Sequence, residues 1–122
     1  MAFLEDYPPM RESLTRLITG QSHLQLAGGW GTLDALLHGL AAAPADVVLM
    51  DLQLGQSMDG ITATAEVRRQ FPATMVLVLT LFDEPKVVFD ALSAGAVGYL
   101  LKSAPAAAIV SAIEEVAAGG RR

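Results

Sequence analysis

The chain has 122 residues, 52% of them hydrophobic, which suits one domain with one core. Its formal net charge of −5 excludes a basic footprint and so argues against direct nucleic-acid contact, and without cysteine neither a disulfide nor a thiolate metal site can form. No apolar run approaches a membrane span, and Glu5 and Asp6 interrupt the N-terminus where a secretion leader needs apolar residues, so the expectation is a cytoplasmic domain.

Met1 to Leu4 reads as a short strand ending at Glu5-Asp6. Pro8-Pro9 suits a helix start, and Met10, Leu14, Leu17 and Ile18 at helical spacing predict a first helix from about Pro9 to Thr19, with Gly20 as a left-handed cap. His23 to Ala27 reads as a second strand. Thr32 can cap a helix carrying Leu33, Leu36, Leu37 and Leu40 on one face. Ala45 to Met50 is a buried third strand, followed by a polar loop from Leu52 to Asp59. A helix with Ile61, Ala65, Val67 and Arg68 must end before Pro72. Met75 to Leu79 is a fourth strand, and Pro85 opens a helix that buries Val88, Ala91 and Leu92 and closes at Gly95. Val97 to Leu101 is the fifth strand. Ser103 as cap and Pro105 open a last helix with Ile109, Ala112, Ile113 and Val116 on its apolar stripe, ending at Gly119-Gly120. His23 and His38 read as surface or helix-face residues, and Trp30 between Gly29 and Gly31 as a cover for the sheet edge.

This alternation implies a (βα)5 three-layer sandwich of the flavodoxin-like class, a parallel sheet in strand order 2-1-3-4-5 with helices on both faces. In such sheets ligands sit beyond the carboxyl ends of the strands. Those ends carry Glu5 and Asp6, Asp51, Thr80 and Lys102. Taken singly, a strand-end aspartate is a turn or cap former. Taken together, carboxylates from two strands need a cation, and oxygen ligands with room for water point to magnesium, or manganese in its place. Asp51 then suits a nucleophile toward a phosphoryl group, with Lys102 supplying charge and Thr80 a hydroxyl to the transferred oxygens.

The stretches Leu4 to Glu12, Asp46 to Leu52, Met58-Asp59-Gly60, Val78-Leu79-Thr80 and Ala94 to Lys102 resemble, in order and spacing over nearly the whole chain, the receiver domains of two-component response regulators, most closely those of the NarL/FixJ type. The resemblance implies that Asp51 takes a phosphoryl group from a sensor histidine kinase. It implies magnesium held by the side chains of Asp6 and Asp51 and the main-chain carbonyl of Gln53, with Glu5 acting through water. It also implies that Thr80 and Tyr99 form a switch pair, the hydroxyl moving toward the phosphate as the ring turns inward. Such a domain is a phosphoacceptor with self-catalysed transfer and hydrolysis, not a turnover enzyme. Its output face is helix four, strand five and helix five, where Val87, Phe89, Asp90, Ala107, Val110 and Glu114 are expected at the surface, open to a second copy or an effector. Residues 1–118 would be the receiver and 119–122 the start of a linker to a helix-turn-helix DNA-binding domain, which would place the output in transcription.

The loop from Asp51 to Gly60 is one residue longer than the family pattern and has Gly55 where a proline is usual, which bears on metal-ligand placement. Leu81 stands where a small residue is usual, and a bulky side chain there is expected to restrict access to an acyl phosphate and slow its loss. Two other classes remain in view. A haloacid-dehalogenase-like phosphatase needs a second aspartate two residues after the nucleophile, a place held here by Gln53. A receiver-like adaptor would keep the fold and bind partners without phosphorylation.

Overall fold

The computed structural model describes residues 1–53, 59–81 and 83–119. Strands and helices alternate as β1 (Ala2–Leu4), α1 (Pro8–Thr19), β2 (Gly28–Trp30), α2 (Leu33–Ala42), β3 (Val47–Asp51), α3 (Gly60–Gln70), β4 (Met75–Thr80), α4 (Pro85–Ser93), β5 (Gly98–Leu101) and α5 (Ala106–Ala117). All strand pairs are parallel, in the order β2-β1-β3-β4-β5 that the alternation implies.

Strand side chains alternate between the two faces, and each face carries its own core. Leu4, Val48, Met50, Val76 and Val78 pack with Leu36 and Leu40 of α2, Ala63 and Val67 of α3, and Ala91 of α4. Phe3, Val47, Leu49, Leu77 and Leu79 pack with Leu14 and Ile18 of α1 and with Ile109, Ile113 and Val116 of α5. Because β3 and β4 are covered on both faces, every position from Val47 to Asp51 and from Val76 to Thr80 is buried, which is why these strands read as continuous apolar runs.

The largest departure from the sequence expectation is β2. The strand is Gly28–Trp30, not His23 to Ala27, and it pairs with β1 from Ala2↔Gly28 to Leu4↔Trp30. Leu24 and Leu26 pack instead against the α1/α5 core. Two glycines have low strand propensity, which hides this strand in the sequence. Their reason is steric: a Cβ at Gly29 would lie 2.1 Å from the Phe3 ring, and one at Gly28, or at Gly39 of α2, would lie 2.3 or 2.2 Å from atoms of the Trp30 ring, which covers this edge as expected.

Smaller departures follow from local geometry. The first helix begins at Pro8, and Gly20 closes it with φ −74°, so the expected left-handed cap is not there; Gly95, at φ +113°, does adopt that conformation. Thr32 caps α2 by accepting from the Ala35 N–H, and Asp59 caps α3 by accepting from Thr62. Helix α3 buries Gly60, Ala63, Thr64 and Val67; Ala65 is exposed, and Arg68 is half-buried and donates to the carbonyls of Pro72 and Thr74. On α4 Ala91 is buried and Val88 half-buried, but Leu92 is exposed. Ser103 does not cap α5, whose N-cap is Pro105 without a side-chain bond. Val110 is buried and Val87 packs on the core, so neither is the surface position expected of it, whereas Phe89 is 69% exposed. Gly55, Met58 and the final Gly120-Arg121-Arg122 lie outside the described residues.

Candidate functional site

The parallel register aligns the carboxyl ends of four strands. Leu4 pairs with Met50, Asp51 with Leu79 and Thr80 with Leu101. The ladder continues past β1 and β5: the Glu5 N–H donates to the Trp30 carbonyl at 2.9 Å and the Lys102 N–H to the Thr80 carbonyl at 2.7 Å. Backbone pairing therefore fixes the Cα positions of Glu5, Asp51, Thr80 and Lys102. The guanidinium of Arg11 on α1 reinforces the turn after β1 by donating to the Glu5 carbonyl at 2.9 Å.

The side chains converge. Asp51 is 2% exposed, and its Oδ1 accepts from Lys102 Nζ at 2.8 Å and from the Gln53 N–H at 3.0 Å. Lys102 Nζ also lies 3.5 Å from Glu5 Oε1. Asp51 Oδ2 and both carboxyl oxygens of Glu5 are buried without a hydrogen-bond partner among the described residues. One oxygen from each of Glu5, Asp6 and Asp51 lies within 4.8 Å of the others. Burial pushes the Glu5 carboxyl from 4.5 up to about 8, with the adjoining Asp51 next in effect; Lys102 opposes the rise and Asp6 adds to it. Three oxygen donors, two of them on buried acids with unpartnered atoms, fit a hard divalent cation, which would offset the burial and the neighbouring charge that now hold Glu5 toward its protonated form.

Thr80 is fully buried at the end of β4, and Tyr99, paired with Val78 in register, is 37% exposed. Leu81 is 55% exposed and lines a groove of about 460 Å³ beside the carboxylates, together with Tyr7, Pro9, Met10 and Gln53. Sequence reasoning gave the side chain of Gln53 no part beyond its position, yet its Nε2 donates to Thr80 Oγ1 at 3.1 Å and its Oε1 accepts from the Leu81 N–H at 3.2 Å. No spacing pattern announces that bridge, because it joins the ends of two strands. The histidines stay outside the cluster: His23 pairs with Glu114 of α5, and His38 Nδ1 contacts the Asp34 carbonyl.

Comparison with known proteins agrees with this arrangement: the response regulator receiver domain pattern matches residues 2–114. The chain belongs to that family. It is 34% identical over 118 residues to the response regulator protein VraR of Staphylococcus aureus, covering 96% of this chain and 56% of VraR. It is 33% identical over 119 residues to YxjL of Bacillus subtilis, a transcriptional regulatory protein, covering 98% and 54%. This receiver domain thus spans about half the length of these relatives. Among solved structures it resembles a LuxR-family two-component response regulator from Aurantimonas, with TM-score 0.90, 31% identity, and 98% of this chain and 85% of that one covered. It also resembles the signal receiver domain of NarL from Mycobacterium tuberculosis, with TM-score 0.88, 33% identity, and coverage of 97% and 94%. The NarL/FixJ-type resemblance and the flavodoxin-like fold expected from the sequence are both borne out. Among the described residues no helix is long and apolar enough to cross a membrane.

Proposed function

We propose that Asp51 is the phosphoacceptor of this receiver domain and that Glu5, Asp6, Thr80 and Lys102 serve its phosphorylation. The observation that carries this reading is the division of labour within the Asp51 carboxylate: Oδ1 is held by Lys102 and the Gln53 N–H, while Oδ2 is buried and unpartnered among the described residues. Oδ2 attacks the phosphorus of a phosphohistidine on a sensor kinase, or of a small acyl phosphate; the new O–P bond forms as the bond to the donor breaks, and the donor keeps that electron pair. Lys102 and the Thr80 hydroxyl answer the charge on the transferred oxygens. Asp6 and Asp51 side chains with the Gln53 main-chain carbonyl would hold Mg2+, or Mn2+, with Glu5 acting through water; the ion would neutralise the phosphoryl oxygens.

The phosphoryl group adds about −1.5 to −2 charge and biases an existing equilibrium in which Thr80 turns toward it and the half-exposed Tyr99 turns inward. That shift is read on the face of α4, β5 and α5, where exposed Phe89 and Leu92 offer apolar surface to a second copy or an effector. Residues 1–118 form the receiver, and 119–122 begin a linker to a DNA-binding domain of the full-length, cytoplasmic regulator. The domain is a phosphorylated switch, not a turnover enzyme. Borohydride trapping tests the acceptor directly: after incubation with acetyl phosphate and Mg2+, reduction of the acyl phosphate and peptide mapping should find the reduced residue at position 51. Label elsewhere, or none on folded protein, would contradict the assignment.

A further inference from the structure

The Gln53 carboxamide bridges the mouth of the site. It holds the Thr80 hydroxyl through Nε2 at 3.1 Å and the Leu81 N–H through Oε1 at 3.2 Å, while its own N–H is anchored on Asp51 Oδ1. Asp51 pairs with Leu79 in register, so the two groups that Gln53 engages belong to the next two residues, Thr80 at the end of β4 and Leu81 just past it.

A phosphoryl group on Asp51 presents only acceptor oxygens, with about −1.5 to −2 charge, and its binding needs donors. Three donors belong to the strand ends around Asp51: the Lys102 ammonium, the Thr80 O–H and the Leu81 N–H. Lys102 already faces Asp51. The other two groups lie at either end of one neutral carboxamide. Charged oxygens make stronger hydrogen bonds than a neutral amide oxygen, so an incoming phosphoryl group can win the Leu81 N–H, but only after the carboxamide oxygen has let go; Thr80 accepts from the carboxamide nitrogen, which fixes where its hydroxyl oxygen sits and must also release for that group to turn toward the phosphate. Because Gln53 is tied to Asp51 through its backbone, its side chain competes at a high effective concentration and needs no ligand from solution.

We propose that Gln53 is a positioning residue whose carboxamide competes internally with the phosphoryl group, holding Thr80 and Leu81 in the unphosphorylated arrangement and weakening the site's hold on phosphate. This rests on the reading of Asp51 as phosphoacceptor. The competition is between hydrogen bonds and not over space, so a side chain of similar length without the amide removes it.

Beryllofluoride with Mg2+, a non-covalent stand-in for the phosphoryl group, separates binding from the rate of transfer. The 122-residue chain and its Gln53→Met and Gln53→Ala variants are titrated by calorimetry, and the Gln53 side-chain NH2 resonances of the unmodified chain are followed by NMR. Both variants should bind roughly fivefold more tightly, the effect expected from two neutral hydrogen bonds of modest net strength. The Gln53 NH2 resonances should move on binding. A merely structural Gln53 would change the melting temperature of the variants and leave the affinity alone. Binding by the unmodified chain with equal or weaker affinity in the variants, or with unmoved Gln53 resonances, overturns the competition alone. No binding by any of the three folded proteins overturns the phosphoacceptor reading and this inference with it.

Discussion

Replacing Glu5 with glutamine should flatten the pH dependence of stability in the metal-free domain. Glu5 is 1% exposed, and neither of its carboxyl oxygens has a hydrogen-bond partner among the described residues. Burial, and then Asp51 beside it, raise its carboxyl from 4.5 in the unfolded chain to about 8 in the folded one. Between those values the folded protein keeps a proton that the unfolded chain has released. Stability from this group is therefore complete below the unfolded value and is lost as pH rises toward the folded one, by about 1.4 kcal/mol per unit. The full window gives a ceiling of roughly 5 kcal/mol. Because the proton is shared with a site that also contains Asp51 and Lys102, a loss of about 2–4 kcal/mol attributable to Glu5 is expected. Urea unfolding in EDTA, followed by circular dichroism at intervals from about pH 5 to about pH 8, measures it. The unmodified protein's midpoint should fall relative to Glu5→Gln by about 1–2 M across the window, given the usual slope for a small domain. Added Mg2+ should shrink the difference, since a cation favours the ionised carboxylate. Parallel midpoint curves for the two proteins without metal would refute the reasoning, because they would mean that Glu5 titrates alike in the folded and unfolded chains.

Gly60→Ala should destabilise the fold by about 1–3 kcal/mol, since its Cβ would come within 2.3 Å of the Asp51 carbonyl and 2.4 Å of Leu52 Cα, both backbone atoms that cannot swing aside; a urea midpoint within error of the unmodified protein would contradict that packing. Leu81→Ala should hasten the loss of phosphate from the acyl phosphate several-fold by opening the groove that Leu81 lines, as timed by intact mass after removal of donor, and equal rates in the two proteins would sink the idea.

Much of the architecture was legible because two periodicities carry it. Apolar runs at 47–50 and 75–79 announced the central strands, and Ile109, Ala112, Ile113 and Val116 announced the face of α5. The register of a parallel sheet then brought Glu5, Asp6, Asp51, Thr80 and Lys102 to one edge, as the order of the elements implied. The failures have local causes. Strand β2 was misplaced because its glycines make room for aromatic rings, Trp30 at Gly28 and Phe3 at Gly29, and do not reflect strand propensity. The Gln53 bridge was invisible because a glutamine two residues past a strand carries no pattern, and its partners lie 27 and 28 positions away along the chain.

The most direct test of the central claim is intact mass after incubation with acetyl phosphate and Mg2+, set beside an EDTA control and an Asp51→Asn variant. A gain of one phosphoryl group that requires the metal and is absent in the variant is expected. No gain by folded protein, or an equal gain by Asp51→Asn, would contradict the assignment of Asp51 as the acceptor.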